Sequence, residues 1–331
     1  MRPFAYHRPA TVDETLTRLN GGNNGQVRPL AGGTDLLTLM KANLVAPTDL
    51  VDIKRLANLP KGITAQGDGL TLGALTTLSE IEKDPTIAQR FPLLAEAAGL
   101  AATPQLRNMA TIGGNLLQRP RCWYFRNELM DCWLKGGDTC PAHAGHNEFH
   151  ALFGGGPCYA VHPSDLASAL LALDAHVQLR SAAGERRVPL ADFFALPTDD
   201  RRCESVLADD ELLLSVQVPD LSAGTSSTYL KAMDRKVWAF ALVGVAAVVQ
   251  MQQGQMADVR LVLSGVAPIP WRATAAEAIL TGNVPSDALF AEAATIALAG
   301  AEMLEHNAYK VPLAQGLIRR SLTRLTMQES S

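Results

Sequence analysis

The sequence predicts an α+β protein built in two parts, and three observations lead there. Strand-like and helix-like stretches are mixed without the strict alternation of a doubly wound sheet. The composition breaks at PDLSAGTSS (Pro219 to Ser227), a stretch of linker character. Beyond it, three segments read as antiparallel strands and are followed by alanine-rich helices. A length of 331 residues fits two or three domains, and the break divides the chain into residues 1–220 and 221–331.

Taken in order, TVDETLTRL is amphipathic with an acidic first turn, the mark of a helix. VRPLAGGTDLLTLMK reads as strand, tight glycine turn and helix, and TDLVDI as a short strand. DGLTLGALTTLSEIEK gives a strand over Leu70 to Gly73 and a helix from near Thr76. FPLLAEAAGLAA is a helix, and TPQLRNMATIGGN returns through a loop into another strand and a second glycine turn. PSDLASALLAL is a helix capped by Ser164 or Asp165. AHVQLRS is a strand, VPLADFF a short helix and ELLLSVQVP an alternating strand. After the break, TYLKAMDR, FALVGVAAVVQM and MADVRLVLSGVAP form a three-stranded antiparallel sheet. Helices over Trp271 to Leu280, Ser286 to Leu304 and Leu313 to Thr326 follow.

Composition narrows the class. Hydrophobic residues make up 47% of the chain, net charge is −4, and the basic residues are scattered, so no nucleic-acid surface is expected. AFALVGVAAVV (Ala239 to Val249) falls far short of the ~20 residues a membrane helix needs. The first residues lack the apolar stretch of a signal peptide. A soluble, cytoplasmic protein is the expectation, with export possible alongside a partner.

Four of the five cysteines and four of the seven histidines lie between Gln118 and Asp165. Cys122, Cys132, Cys140 and Cys158, crowded into one irregular segment, suit metal or cluster thiolates better than a disulfide framework. Cys203 stands apart and no role is expected for it.

Two glycine turns carry a second signal. AGGTD (Ala31 to Asp35) and TIGGN (Thr111 to Asn115) each follow a short apolar stretch. Paired glycines let several backbone N–H groups converge without a Cβ in the way, and such a nest holds phosphate oxygens. Taken singly, either is as readily an ordinary tight turn. Neither a G-x-G-x-x-G nor a G-x-x-x-x-G-K motif is present.

PLAGGTDLLTLMK, LTLGALTTLSEIE, LRNMATIGGNL, HPSDLASALLAL and ELLLSVQVP, in that order, closely resemble the FAD-binding medium subunit of the xanthine dehydrogenase and molybdenum aldehyde oxidoreductase family. The likeness spans essentially the whole chain. It implies a two-lobed FAD-binding domain of the vanillyl-alcohol-oxidase type over residues 1–220, then a small α+β domain of the molybdenum hydroxylase flavoprotein type. By the same resemblance Ala31, Gly32, Gly33, Thr34, Asp35 and Leu36 wrap the FAD pyrophosphate. Thr111, Gly114 and Asn115 approach the diphosphate and flavin side. Asp165 binds a sugar hydroxyl, Leu213 packs near the isoalloxazine, and Lys231 lies near the flavin.

In relatives lacking the extra cysteines, the second glycine turn runs within a few residues into the Ser-Asp helix. Here an insertion over about residues 116–163 intervenes. Its cysteines are separated by nine, seven and seventeen residues. Zinc sites favour C-x₂₋₄-C pairs, absent here, although His143, His146, His150 and His162 could supply nitrogen. A cubane takes thiolates from four directions, and spacing alone leaves both open. RCWYFRN, GGDTCPA and CYAVHPSDLA resemble the subset of the family that carries an extra [4Fe-4S] cluster, which implies Cys122, Cys132, Cys140 and Cys158 as its ligands. Arg119, Arg121 and Arg126 would offset the cluster's charge, face a partner or stay solvated.

No substrate-oxidising constellation stands out. The resemblance implies an electron-transfer subunit working with a large molybdenum-cofactor subunit and a small subunit bearing two [2Fe-2S] clusters, and passing electrons through FAD to an external acceptor. A stand-alone flavin oxidase and a zinc-stapled nucleotide-binding module are the alternatives.

Overall fold

The computed structural model describes residues 1–21, 25–67 and 69–327. A first lobe holds β1 (Ala5–His7), α1 (Val12–Asn20), β2 (Val27–Leu30), α2 (Leu36–Lys41) and β3 (Asp49–Asp52). Its strands form a parallel sheet in the order β1-β3-β2. The Thr11 hydroxyl accepts from the Glu14 N–H and caps α1. That helix buries Val12, Leu16 and Leu19 against Val51, Ile53 and Leu56.

The second lobe contains β4 (Ile63–Gln66), β5 (Gly69–Gly73), α3 (Leu78–Lys83), α4 (Pro85–Arg90), α5 (Pro92–Leu100), α6 (Pro104–Arg107) and α7 (Ile112–Leu116). After the insertion come α8 (Asp165–Ala172), β6 (His176–Ser181), β7 (Gly184–Pro189), α9 (Leu190–Phe193) and β8 (Leu212–Pro219). The sheet is antiparallel in the order β4-β5-β8-β6-β7. Every residue of α8 is buried, as its unbroken apolar run requires of a helix packed on all sides.

The last part holds β9 (Thr225–Ala232), β10 (Val243–Gln252), β11 (Gln255–Ser264), β12 (Trp271–Arg272), α10 (Thr274–Leu280), α11 (Asp287–Ala297) and α12 (Lys310–Thr326). Gln253 and Gly254, with φ of 52° and 79°, turn the hairpin between β10 and β11. Of the apolar run at Ala239 to Val249, the part from Val243 onward becomes a central strand buried on both faces, while Ala239 to Leu242 precede it and Phe240 is exposed. Ala246 and Val248 pack into the core shared with the second lobe. Val243, Val245, Ala247 and Val249 pack under α10, α11 and α12.

Several expectations are corrected. The last sheet has four strands, in the order β12-β11-β10-β9, rather than three. Trp271 and Arg272 leave the expected helix because they pair with Leu263 and Val262, and Trp271 stacks on Phe153 with ring centres 4.8 Å apart. The strand expected before the second glycine turn is instead the helix pair α6 and α7. Thr103 and Thr111 each turn their hydroxyl onto a backbone N–H and cap them. α11 stops at Ala297, short of Gly300. Thr225 already belongs to β9, so the linker is shorter than its composition suggested.

The insertion is mostly irregular, with one 3₁₀ turn at Trp133–Lys135. Phe125, Cys132, Trp133, Leu134, Cys158 and Ala160 form a small core of their own against Leu39. Its far end is pinned to the last part of the molecule. Lys310, fully buried, donates through Nζ to the carbonyls of His150 (2.9 Å) and Gly265 (2.7 Å).

Candidate functional site

β2 delivers the chain into the first glycine turn between the two lobes. Gly33 has φ +74°, the left-handed region that favours glycine. The N–H groups of Gly32, Gly33 and Thr34 meet no acceptor among the described residues. Three consecutive free donors beside a residue of positive φ make an anion-binding nest. At Gly32 a Cβ would fall 1.8 Å from the Met109 carbonyl oxygen, so the first turn touches, backbone to backbone, the segment just before the second.

The second turn is built differently. The Thr111 hydroxyl accepts from the Gly114 N–H at 3.2 Å, and the Gly113 N–H donates to the Ala74 carbonyl at 2.9 Å. A Cβ at Gly114 would meet only that hydroxyl, at 3.1 Å. Glycine there leaves open space beside the cavity instead of relieving the fold.

Both turns line a cavity of about 320 Å³ that also receives Leu213. Of the residues expected to hold FAD, Ala31 to Leu36, Thr111, Gly114 and Leu213 are brought together here. Free N–H groups, a Cβ-free cradle and an apolar wall of Val45, Ile53, Leu207 and Leu212 fit a pyrophosphate carrying a flat base.

Three expected residues stand elsewhere. Asn115 is off the cavity wall, and its Oδ1 accepts from the Ser164 hydroxyl (2.5 Å), which itself accepts from the Ala167 N–H and caps α8. Asp165 and Lys231 meet each other at 2.7 Å with side chains 5% and 1% exposed. Lys231 is therefore a buried ion-pair partner. The Tyr229 hydroxyl donates to Asp165 at 2.6 Å, and burial together with that carboxylate raises Tyr229 well above its usual value. Asp165 lines a second cavity of about 280 Å³. His162 lies on the wall of both cavities, and burial pushes its imidazole down to about 4.

The carboxylate of Asp35 is taken up by the insertion. It accepts from the Arg119 N–H at 2.9 Å, pairs with Arg121 at 2.9 Å and with Arg126 at 2.7 Å. The Arg119 guanidinium pairs with the buried Glu204 at 3.1 Å, whose own pKa burial raises. The three arginines thus serve the first turn rather than standing free. Cys203 and Glu204 also line the larger cavity. The sequence carried no signal for either, since both fall in an irregular segment.

All five cysteines are free thiols. Cys122 packs on the small core that contains Cys132 and Cys158, and the interaction between the Cys140 and Cys158 sulfurs lowers Cys140 and raises Cys158. Burial pushes Cys122 up to about 11, with Cys132 and Cys140 near enough to add to the shift. His150 places Nε2 3.2 Å from the Cys122 sulfur. Among the described residues no three His, Cys, Asp or Glu side chains are close enough to grip a single metal ion. Four of the five soft sulfurs lie in the insertion, and Cys203 lies outside it.

Comparison with known proteins agrees with this geometry. Residues 2–221 match the FAD-binding domain found in molybdopterin dehydrogenases, and residues 228–325 match the carbon monoxide dehydrogenase flavoprotein C-terminal domain. The chain is 37% identical over 301 residues to the FAD-binding subunit PaoB of an aldehyde oxidoreductase from Escherichia coli, covering 88% of this chain and 91% of that one. It is 31% identical over 323 residues to the carbon monoxide dehydrogenase medium chain of Hydrogenophaga pseudoflava, covering 96% of each. A solved structure of carbon monoxide dehydrogenase from that organism superposes with a TM-score of 0.78 at 30% identity, over 98% of both chains. The chain belongs to the family of FAD-binding medium subunits of xanthine dehydrogenases and carbon monoxide dehydrogenases, oxidoreductase subunits of molybdenum hydroxylase complexes.

Proposed function

We propose that this chain is the FAD-binding electron-transfer subunit of a molybdenum-dependent complex of the aldehyde oxidoreductase type. The nest of free N–H groups at Gly32, Gly33 and Thr34, opening into the cavity between the lobes, carries the reading. FAD supplies a centre that accepts and releases electrons singly or in pairs, and the protein positions it and sets its surroundings. The glycine turns would hold the pyrophosphate, the apolar wall would cover the adenine, and Asp165 with Lys231 would stand toward the flavin end. The FAD-binding unit ends near residue 220. In this reading a large molybdenum-cofactor subunit oxidises the substrate, a small subunit with two [2Fe-2S] clusters feeds the flavin, and an external acceptor drains it. The name of the relative at 37% identity favours an aldehyde as that substrate.

Cys122, Cys132, Cys140 and Cys158 would hold a [4Fe-4S] cluster in the insertion. Cys132 and Cys158 share one small core with Cys122 packed on it, Cys140 meets Cys158, and Cys203 lies outside, which supports that assignment.

The test is purification of the chain alone and with its partners. Alone, it should release FAD on acid precipitation, carry about four irons per chain from the cubane stoichiometry, and leave aldehydes untouched. With partners, aldehyde oxidation should appear. Ser substitutions at any of the four cysteines should strip iron, while Cys203→Ser should not. Turnover by the isolated chain, or zinc in place of iron, would overturn the reading.

A further inference from the structure

We propose that Asp35 is a positioning residue that couples FAD binding to the state of the cysteine-bearing insertion, so that filling the cysteine set strengthens the hold on FAD. The inference rests on the reading that the four cysteines hold a cluster. Asp35 sits at the end of the first glycine turn, directly after the free N–H groups of the nest. Asp35 lines the cavity, and its carboxylate is taken up by the Arg119 N–H and the Arg121 and Arg126 guanidiniums.

Arg126 binds three backbone or carboxylate oxygens at once: Pro120 O at 2.8 Å, Arg119 O at 2.9 Å and Asp35 Oδ1 at 2.7 Å. It ties the start of the insertion into a loop closed on Asp35, while not itself lining the cavity. A second strap runs from the Cys132 region. The Arg202 guanidinium donates to the carbonyls of Trp133 (2.6 Å) and Gly137 (2.9 Å), and lies 4.7 Å from the Trp133 ring centre. Trp133 donates to Asp199 at 3.1 Å, and the adjoining Cys203 and Glu204 form cavity wall.

The electrostatics give the coupling its sign. Three guanidiniums meet two carboxylates, Asp35 and Glu204, so the closed insertion leaves positive charge beside the nest and favours an anion there. With the insertion loosened, Asp35 is released as a bare carboxylate next to the pyrophosphate and opposes it. Two ligands that favour the same arrangement bind with positive coupling.

The experiment measures the FAD dissociation constant by flavin fluorescence titration of the full chain, iron-loaded and after anaerobic chelation. In the wild type, iron removal should weaken FAD binding roughly ten-fold, within the usual range of coupling between sites. In Asp35→Asn the two states should bind FAD within about two-fold of each other, a loss that a merely structural role would not produce. The same ratio in wild type and variant overturns the proposal. Arg126→Ala, off the cavity wall, guards against a misfolded Asn variant. Should the purified chain hold no iron, the cluster reading fails and Arg126→Ala still decides the clamp. Weaker FAD binding with unchanged melting of the FAD-free protein supports it, and unchanged binding overturns it.

Discussion

A methyl group at Gly32 would sit 1.8 Å from the Met109 carbonyl oxygen, whereas one at Gly114 would meet only the Thr111 hydroxyl at 3.1 Å. Gly32→Ala must therefore push two backbone segments apart, at a cost of about 1–3 kcal/mol typical of overpacking. Gly114→Val adds bulk toward open space that the ligand needs. The expected result is a lower melting temperature for FAD-free Gly32→Ala and a near-wild-type one for FAD-free Gly114→Val. Flavin titration should show Gly114→Val losing most of its affinity. A Gly114→Val protein that binds FAD normally would remove the second turn from the binding site.

α8 and β9 are joined by the Asp165–Lys231 pair. Removing Lys231 leaves a buried carboxylate held, among the described residues, by the Tyr229 hydroxyl, a change that costs about 3–5 kcal/mol. Lys231→Met should lower the unfolding free energy extracted from urea melts by that margin, and adding Asp165→Asn should recover part of it. A Lys231→Met protein as stable as wild type would show the pair to be hydrated in solution. This element scale also shows where sequence reasoning reached and where it stopped. Ser164 announced its helix because a capping hydroxyl acts within three residues. The burial of Lys231 was not legible, because it depends on α8 arriving from 66 residues away. The first glycine turn was legible as a set of free N–H groups, being local backbone geometry, but in the second the Gly113 and Gly114 N–H groups are taken up by Ala74 and Thr111. The capture of Asp35 by three arginines 84 to 91 residues downstream was not legible. TIGGN reads as a strand only until Thr111 is seen to cap.

Across the whole molecule, His162 stands where both lobes and the last sheet meet, its N–H bonded to the Ala267 carbonyl. Its folded-state pKa is about 4 against an ordinary 6.5, because burial excludes the charged form. Above about 6.5 the imidazole is neutral in both states and has no effect on stability. As pH falls from about 6.5 toward about 4, the unfolded chain takes up the proton and the folded chain does not, so stability drops by about 3 kcal/mol in all. Below about 4 the loss levels off. Replacing His162 with Gln should flatten that part of the pH–stability curve in thermal melts, and an unchanged slope would mean the ring is already protonated in the fold. The lysine that closes the insertion has a consequence of another kind. Lys310 reaches His150 across 160 residues of chain, and Asn307 reaches Ala151 across 156. A ribosome adding roughly 5–20 residues per second therefore leaves the far end of the insertion unpinned for many seconds after its last cysteine is made. During that interval the segment around His150 can fold only against upstream chain, so its final placement waits until α12 docks.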